Sequence, residues 1–185
     1  CSRYVARVIS GVKIGVSPDW LIQKLTSIGQ KSINNVVDAA NFVMMDIGHP
    51  MHTFDLDKIK DYKIEVRFAN RGEKITLLDE KEYKLEGFHL LICDSKKPIA
   101  LAGIMGELNS GITTETTNII IESAYFDPVT TRKNAKNLQM STDASKRFER
   151  GADPDGAVNG FCRVVSLLQE LAGGELVSDM VDEYP

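Results

Sequence analysis

Asn118-Ile119-Ile120-Ile121-Glu122-Ser123-Ala124 is the stretch around which the rest of the chain is organised. Period-two alternation puts Ile120, Glu122 and Ala124 on one face of a strand and Ile119, Ile121 and Ser123 on the other. Both faces are rather apolar, so the strand is expected at the centre of a sheet, with Glu122 partly desolvated. A carboxylate there either pairs with a neighbouring Arg or Lys or accepts a hydrogen bond from a ligand hydroxyl.

Upstream, Lys63 to Ala102 reads as short strands: Ile64 to Phe68, Ile75 to Leu78, Tyr83 to Leu85, Leu90 to Cys93 and Ile99 to Ala102. Turn chemistry such as Arg71-Gly72 and Ser95-Lys96-Lys97-Pro98 separates them. Arg3 to Gly15 alternates as a further strand, with Tyr4, Ala6 and Val8 on one face. Ser17-Pro18 is a helix start, a hydroxyl cap before Pro at the first helical position. Trp20, Leu21, Leu25 and Ile28 continue that helix to Gly29. A second helix, Asn35 to Ile47, is apolar on most sides and is expected to be buried before Gly48 ends it. Downstream, helices are expected over Pro128 to Leu138, Asp143 to Arg150 and Asp155 to Leu171, and a last strand over Leu176 to Val181. Together these make a single α+β domain, a largely antiparallel mixed sheet with packed helices.

The 185 residues suffice for one core. A net charge of −4 argues against bulk, charge-driven nucleic-acid binding while leaving room for a local basic patch. Neither DNA nor a membrane is expected as a partner, since no apolar run nears the roughly 18 residues that span a bilayer. Cys1, Cys93 and Cys162 are an odd, widely spaced set, so a reducing, cytoplasmic setting fits better than a disulfide framework. The start at Cys1 and the end at Val181-Asp182-Glu183-Tyr184-Pro185 suggest a piece of a longer protein.

Several polar residues look out of place. Asp46-Ile47-Gly48-His49-Pro50-Met51-His52-Thr53-Phe54-Asp55 gathers two histidines, two carboxylates, Gly and Pro behind an apolar helix, and reads as a rigid turn that delivers polar groups to the edge of a core. His52 is the candidate there for holding a substrate or a water; His49 is read as exposed. Pro50 breaks the helix that would align the two histidines, so no metal site is expected. Asn41 and Asp38 lie inside the helix read as buried; each is either a structural hydrogen-bonding group or part of a site. Gly103 and Gly106, just after a strand, allow close approach to the backbone or simply make a turn. Thr142-Asp143-Ala144-Ser145-Lys146-Arg147-Phe148-Glu149-Arg150 is a capped helix whose cations, Lys146, Arg147 and Arg150, are either a solvated helix end or phosphate contacts.

Taken in order, Val37-Asp38 with Asn41-Phe42-Val43, Gly48-His49-Pro50-Met51-His52-Thr53-Phe54-Asp55, Ala102-Gly103-Ile104-Met105-Gly106, Glu122-Ser123-Ala124-Tyr125-Phe126, and Thr142-Asp143-Ala144-Ser145 with Arg147-Phe148-Glu149-Arg150-Gly151 resemble the B3/B4 editing module of the bacterial phenylalanyl-tRNA synthetase β subunit. The resemblance covers nearly the whole chain and makes residues 1–185 one such module. It implies hydrolysis of tyrosine misattached to the phenylalanine tRNA, by water positioned at the aminoacyl ester, as part of protein biosynthesis. Glu122 would accept the tyrosine phenol. Gly103 and Gly106 would let the substrate lie against the backbone, Asn41 and His52 would hold the ester end and a water, and Thr142 and Ala144 would shape the opposite wall. It further implies tRNA, the α subunit and the remaining β-subunit domains as partners, with ATP and magnesium serving the whole synthetase and no cofactor in this module. A non-catalytic tRNA-docking scaffold is the alternative. One departure stands out: where the family commonly has a second glycine after Gly106, this chain has Glu107, which would narrow the entrance if it pointed inward.

Overall fold

The computed structural model describes residues 1–184; Pro185, the last residue of the expected module, lies outside them. The chain runs β1 (Arg3–Ser10), α1 (Asp19–Ser27), α2 (Asn35–Ile47), β2 (Met51–Asp55), β3 (Glu65–Phe68), β4 (Lys74–Thr76), β5 (Glu82–Lys84), β6 (Leu90–Cys93), β7 (Pro98–Leu101), β8 (Met105–Gly106), β9 (Asn118–Tyr125), α3 (Pro128–Asn137), α4 (Asp143–Phe148), α5 (Gly156–Ala172), β10 (Glu175–Leu176) and β11 (Val181–Glu183). One sheet has the order β10-β1-β9-β2, with β11 also on β1. A second has the order β3-β6-β7-β8, and β4 and β5 form a hairpin. Every pairing among the described residues is antiparallel, so the sheets expected to be largely antiparallel contain no parallel pair.

Side-chain alternation sorts the core into layers. Val5, Ile9, Ile119 and Ile121 point from the first sheet toward Val36, Ala39 and Val43 of α2 and Phe161, Val164 and Leu168 of α5. The opposite face, with Phe54, Ala124 and Tyr4, packs on Leu90, Ile92 and Ala100 of the second sheet. The far face of that sheet, with Leu91, Cys93 and Leu101, is closed by Ile75, Leu77 and Ala135. β9 is therefore central, as its two apolar faces required.

Four local expectations are corrected. Ser17 does not cap α1: Pro18 occupies that position, and the Ser17 hydroxyl instead donates to buried Asp38, 2.6 Å away. Asp38 also accepts from the Ser32 hydroxyl and the Ile33 amide, so its role is structural. The expected rigid turn after α2 is only Gly48-His49-Pro50, because residues from Met51 onward bond to β9 as a strand. The single strand expected over Leu176 to Val181 is two short ones. β1 stops at Ser10 rather than near Gly15, since Gly11 turns the chain at φ +77°. α2 itself matches its expected range: the Asn34 side chain caps its start and Gly48 ends it at φ +78°.

Candidate active site

A narrow cleft of about 60 Å³ opens between the two sheets, well below the ~300–1,000 Å³ usual for small-molecule sites. Its walls include His52, Glu122, Gly103, Gly106, Ala144 and Phe148. The cleft thus brings together five of the seven residues expected to be catalytic or to bind substrate.

β2 and β9 place His52 and Glu122 opposite each other in register, both facing the second sheet. His52 stacks edge-on against Phe54, ring centroids 4.5 Å apart, and its Nε2 is buried with no hydrogen-bond partner. Burial pulls the imidazole down to about 4, so it is neutral at pH 7 and Nε2 is free to accept or donate one hydrogen bond. Glu122 is 5% exposed. Burial pushes its carboxyl up to about 7, against a hydrogen bond from the Tyr4 hydroxyl, 2.7 Å from Oε2, that favours the ionised form. The partner inside the protein is therefore a phenol and not the Arg or Lys that the sequence offered as one alternative.

The glycines have a more local role than expected. A Cβ at Gly106 would lie 2.6 Å from His52 Nε2. At Gly103, whose φ is +69°, a Cβ would meet Phe126 at 3.0 Å and Phe148 at 3.1 Å. Both positions must lack a side chain for the cleft's own rings to fit. Thr142 is not on the cleft surface. Its hydroxyl caps α4 by accepting from Ser145 N and donates to Ile104 O at 2.9 Å, which ties the helix carrying Ala144 to the Gly103–Gly106 turn.

Asn41 is not brought to the cleft. α2 is buried or half-buried from Asn35 to Met45, as expected, and Asn41 sits half-buried in it, outside the cleft lining. His49, read as exposed, is 3% exposed and stacks edge-on with Phe148, the centroids 6.1 Å apart. Gly156 and Gly160 leave room for it at the start of α5. Glu107 lies outside the cleft lining: its Oε1 takes Asn109 at 2.8 Å and Lys97 at 3.2 Å. Lys146, Arg147 and Arg150 surround a shallow depression with Gly48 and Gly151 on the far side of α4 from Ala144 and Phe148. Arg147 is held there by Asp143 O and Met45 Sδ, both at 2.9 Å. The contact missed by the sequence is Tyr4 with Glu122; the placement of Tyr4, Ala6 and Val8 on one strand face was its only signal.

Among known proteins, the family model described as B3/4 domain matches residues 1–173. The chain is 51% identical to the phenylalanine–tRNA ligase β subunit of Protochlamydia amoebophila over 99% of its own length and 23% of that protein. It is 50% identical to that of Geobacter metallireducens and 47% identical to that of Thermotoga maritima, over its full length and 23% and 24% of theirs. The chain thus spans about a quarter of the length of the curated relatives it matches. A solved N-terminal fragment of the phenylalanyl-tRNA synthetase β subunit from Pyrococcus horikoshii is alike over 64% of this chain and 38% of that one, at 20% identity and a TM-score of 0.47, too slight a likeness to carry weight.

Proposed function

The chain belongs to the B3/4 domain family, and on that premise we propose that residues 1–185 are the editing module of a phenylalanyl-tRNA synthetase β subunit, hydrolysing tyrosine misattached to the phenylalanine tRNA. One observation carries this reading: a buried, unpartnered His52 Nε2 and a desolvated Glu122 carboxyl share one cleft. His52 and Glu122 stand side by side across β2 and β9 and give the cleft two polar groups beside otherwise largely apolar walls. Tyrosine exceeds phenylalanine by one hydroxyl, which an apolar synthetic pocket rejects only modestly. A site built to hydrogen-bond that hydroxyl reverses the preference, because phenylalanine leaves a buried acceptor unpaired.

In this reading Glu122 accepts the phenol. Neutral His52 holds a water at the ester carbonyl through Nε2, so hydrolysis rests on positioning. Gly106 makes room for His52, Gly103 for Phe126 and Phe148, Thr142 fixes the wall, and Ala144 leaves it open. Asn41 has no part in the cleft. Lys146, Arg147 and Arg150 meet phosphates of the tRNA acceptor end. The α subunit and the other β-subunit domains complete the enzyme, in the cytoplasm, and ATP and magnesium belong to its synthetic site. The turned-away Glu107 removes the main reason to prefer a docking scaffold without catalysis.

The test is deacylation of tyrosyl-tRNA by the full synthetase carrying His52→Ala. A fall of at least about tenfold in kcat with the fold retained is expected for loss of a positioned water. Unchanged kcat would remove His52 from the reaction.

A further inference from the structure

Tyr4 and Glu122 form a partition between two clefts. Tyr4 lies on β1 two residues from Ala6, the residue paired with Glu122 across β1 and β9, so both side chains leave the same face of the sheet. Glu122 lines the candidate active site. Tyr4 lines a separate, more apolar cleft with Ala6, Ile64, Val66 and Ile120. The Tyr4 hydroxyl joins them, donating to Oε2 at 2.7 Å. Among the described residues no other donor reaches the Glu122 carboxylate, which leaves Oε1 for a ligand.

We propose that Tyr4 is a specificity-positioning residue: by occupying Oε2 it fixes the Glu122 carboxylate and presents Oε1 alone to the hydroxyl of an aromatic acyl group. This rests on the function proposed above and deepens it. A carboxylate with two open oxygens can rotate and can share a water drawn from the neighbouring cleft, and either change blurs the distinction between a hydroxylated and a plain ring. With one oxygen already bonded, the site accepts one further donor in one direction.

The neighbours of Glu122 make the contact readable by pH. It faces Tyr4 from β1 and His52 from β2; across the cleft Ile92, Ala100 and Gly106 carry no titratable group, and no salt bridge is made to Glu122 among the described residues. Burial raises the carboxyl and the Tyr4 hydroxyl lowers it, so loss of that hydroxyl raises it further. A charge-assisted hydrogen bond is roughly twice as strong as a neutral one, so selectivity for the tyrosyl ester should rise as Glu122 ionises.

The experiment uses the full synthetase and compares tyrosyl- and phenylalanyl-tRNA deacylation from about pH 5.5 to 9, which brackets that titration. It is run for wild type, for Tyr4→Phe, and for a protein with 3,5-difluorotyrosine at position 4, which keeps the ring and strengthens the donor. Tyr4→Phe should lower the tyrosyl-to-phenylalanyl ratio near pH 7 by about fivefold, the worth of one hydrogen bond, and move the midpoint of the ratio to higher pH. Difluorotyrosine should move the midpoint to lower pH. An active wild type whose ratio and midpoint match those of both altered proteins would overturn this inference alone. If Tyr4→Phe fails to fold, the difluorotyrosine midpoint decides, and an unmoved midpoint overturns the inference. A wild type without tyrosyl-selective hydrolysis would overturn the proposed function and this inference with it.

Discussion

His52 and Glu122 are paired across β2 and β9, and burial moves their ionisations in opposite directions, the imidazole down to about 4 and the carboxyl up to about 7. At neutral pH the base is therefore uncharged and the carboxylate is poised near its titration point. In the proposed function, placement between two sheets makes these two side chains a water-holding group and a hydroxyl reader.

The carboxylate carries a stability cost that pH reveals. Glu122 titrates higher in the folded chain than its usual 4.5, so its contribution is most favourable below 4.5 and is lost as pH rises through 7. The loss is about 3 kcal/mol by the pH 7 side, at roughly 1.4 kcal/mol per unit. Glu122→Gln should therefore be less destabilising, or stabilising, at pH 8 compared with pH 4.5. Denaturant unfolding of both proteins at the two values checks this, and a difference independent of pH would contradict it.

Gly106→Ala should act through His52. The new Cβ would stand 2.6 Å from Nε2, and the ring already packs on Phe54, so it cannot retreat freely. We expect a destabilisation of about 1–3 kcal/mol and a larger proportional loss of deacylation than of fold. Thermal melts and tyrosyl-tRNA hydrolysis together measure it. Full activity in the variant would mean that the ring position is not what the reaction uses.

Ala144→Trp should fill the cleft from the wall opposite Glu122. Ala144 is only half-buried, so the fold should persist while deacylation is lost. A folded variant that still hydrolyses tyrosyl-tRNA would place the substrate elsewhere.

Arg150→Glu should weaken tRNA binding without changing the tyrosyl-to-phenylalanyl ratio, since the basic depression lies behind α4 and not in the cleft. Losing one phosphate contact should reduce the slope of log affinity against log salt by about 1. An unchanged slope would remove Arg150 from the interface.

Much of the fold could be read locally. Strand β9 was legible because both its faces are apolar, and α2 because Gly48 ends an apolar run. Met51–Asp55 was missed as a strand because Gly48, Pro50 and Asp55 are turn formers, while the β9 partner that holds the segment is more than sixty residues away. The cleft was largely legible: His52, Glu122, Gly103, Gly106 and Ala144 meet there as expected. Asn41 was not, because a half-buried flank and a buried stripe differ by a single helical step. His49 and Tyr4 were misjudged or overlooked for a common reason. What buries His49 is α5, over a hundred residues downstream, and what engages Tyr4 is Glu122, 118 residues away.

In the proposed function Glu122 reads the tyrosine hydroxyl. Its most direct test is the deacylation of tyrosyl- and phenylalanyl-tRNA by the full synthetase, wild type beside Glu122→Ala. The wild type should strip the tyrosyl ester selectively, and the substitution should reduce that selectivity by about tenfold to a hundredfold, the worth of a hydrogen bond to a charged group. Equal selectivity in the two proteins, or no tyrosyl-selective hydrolysis in the wild type, would contradict it.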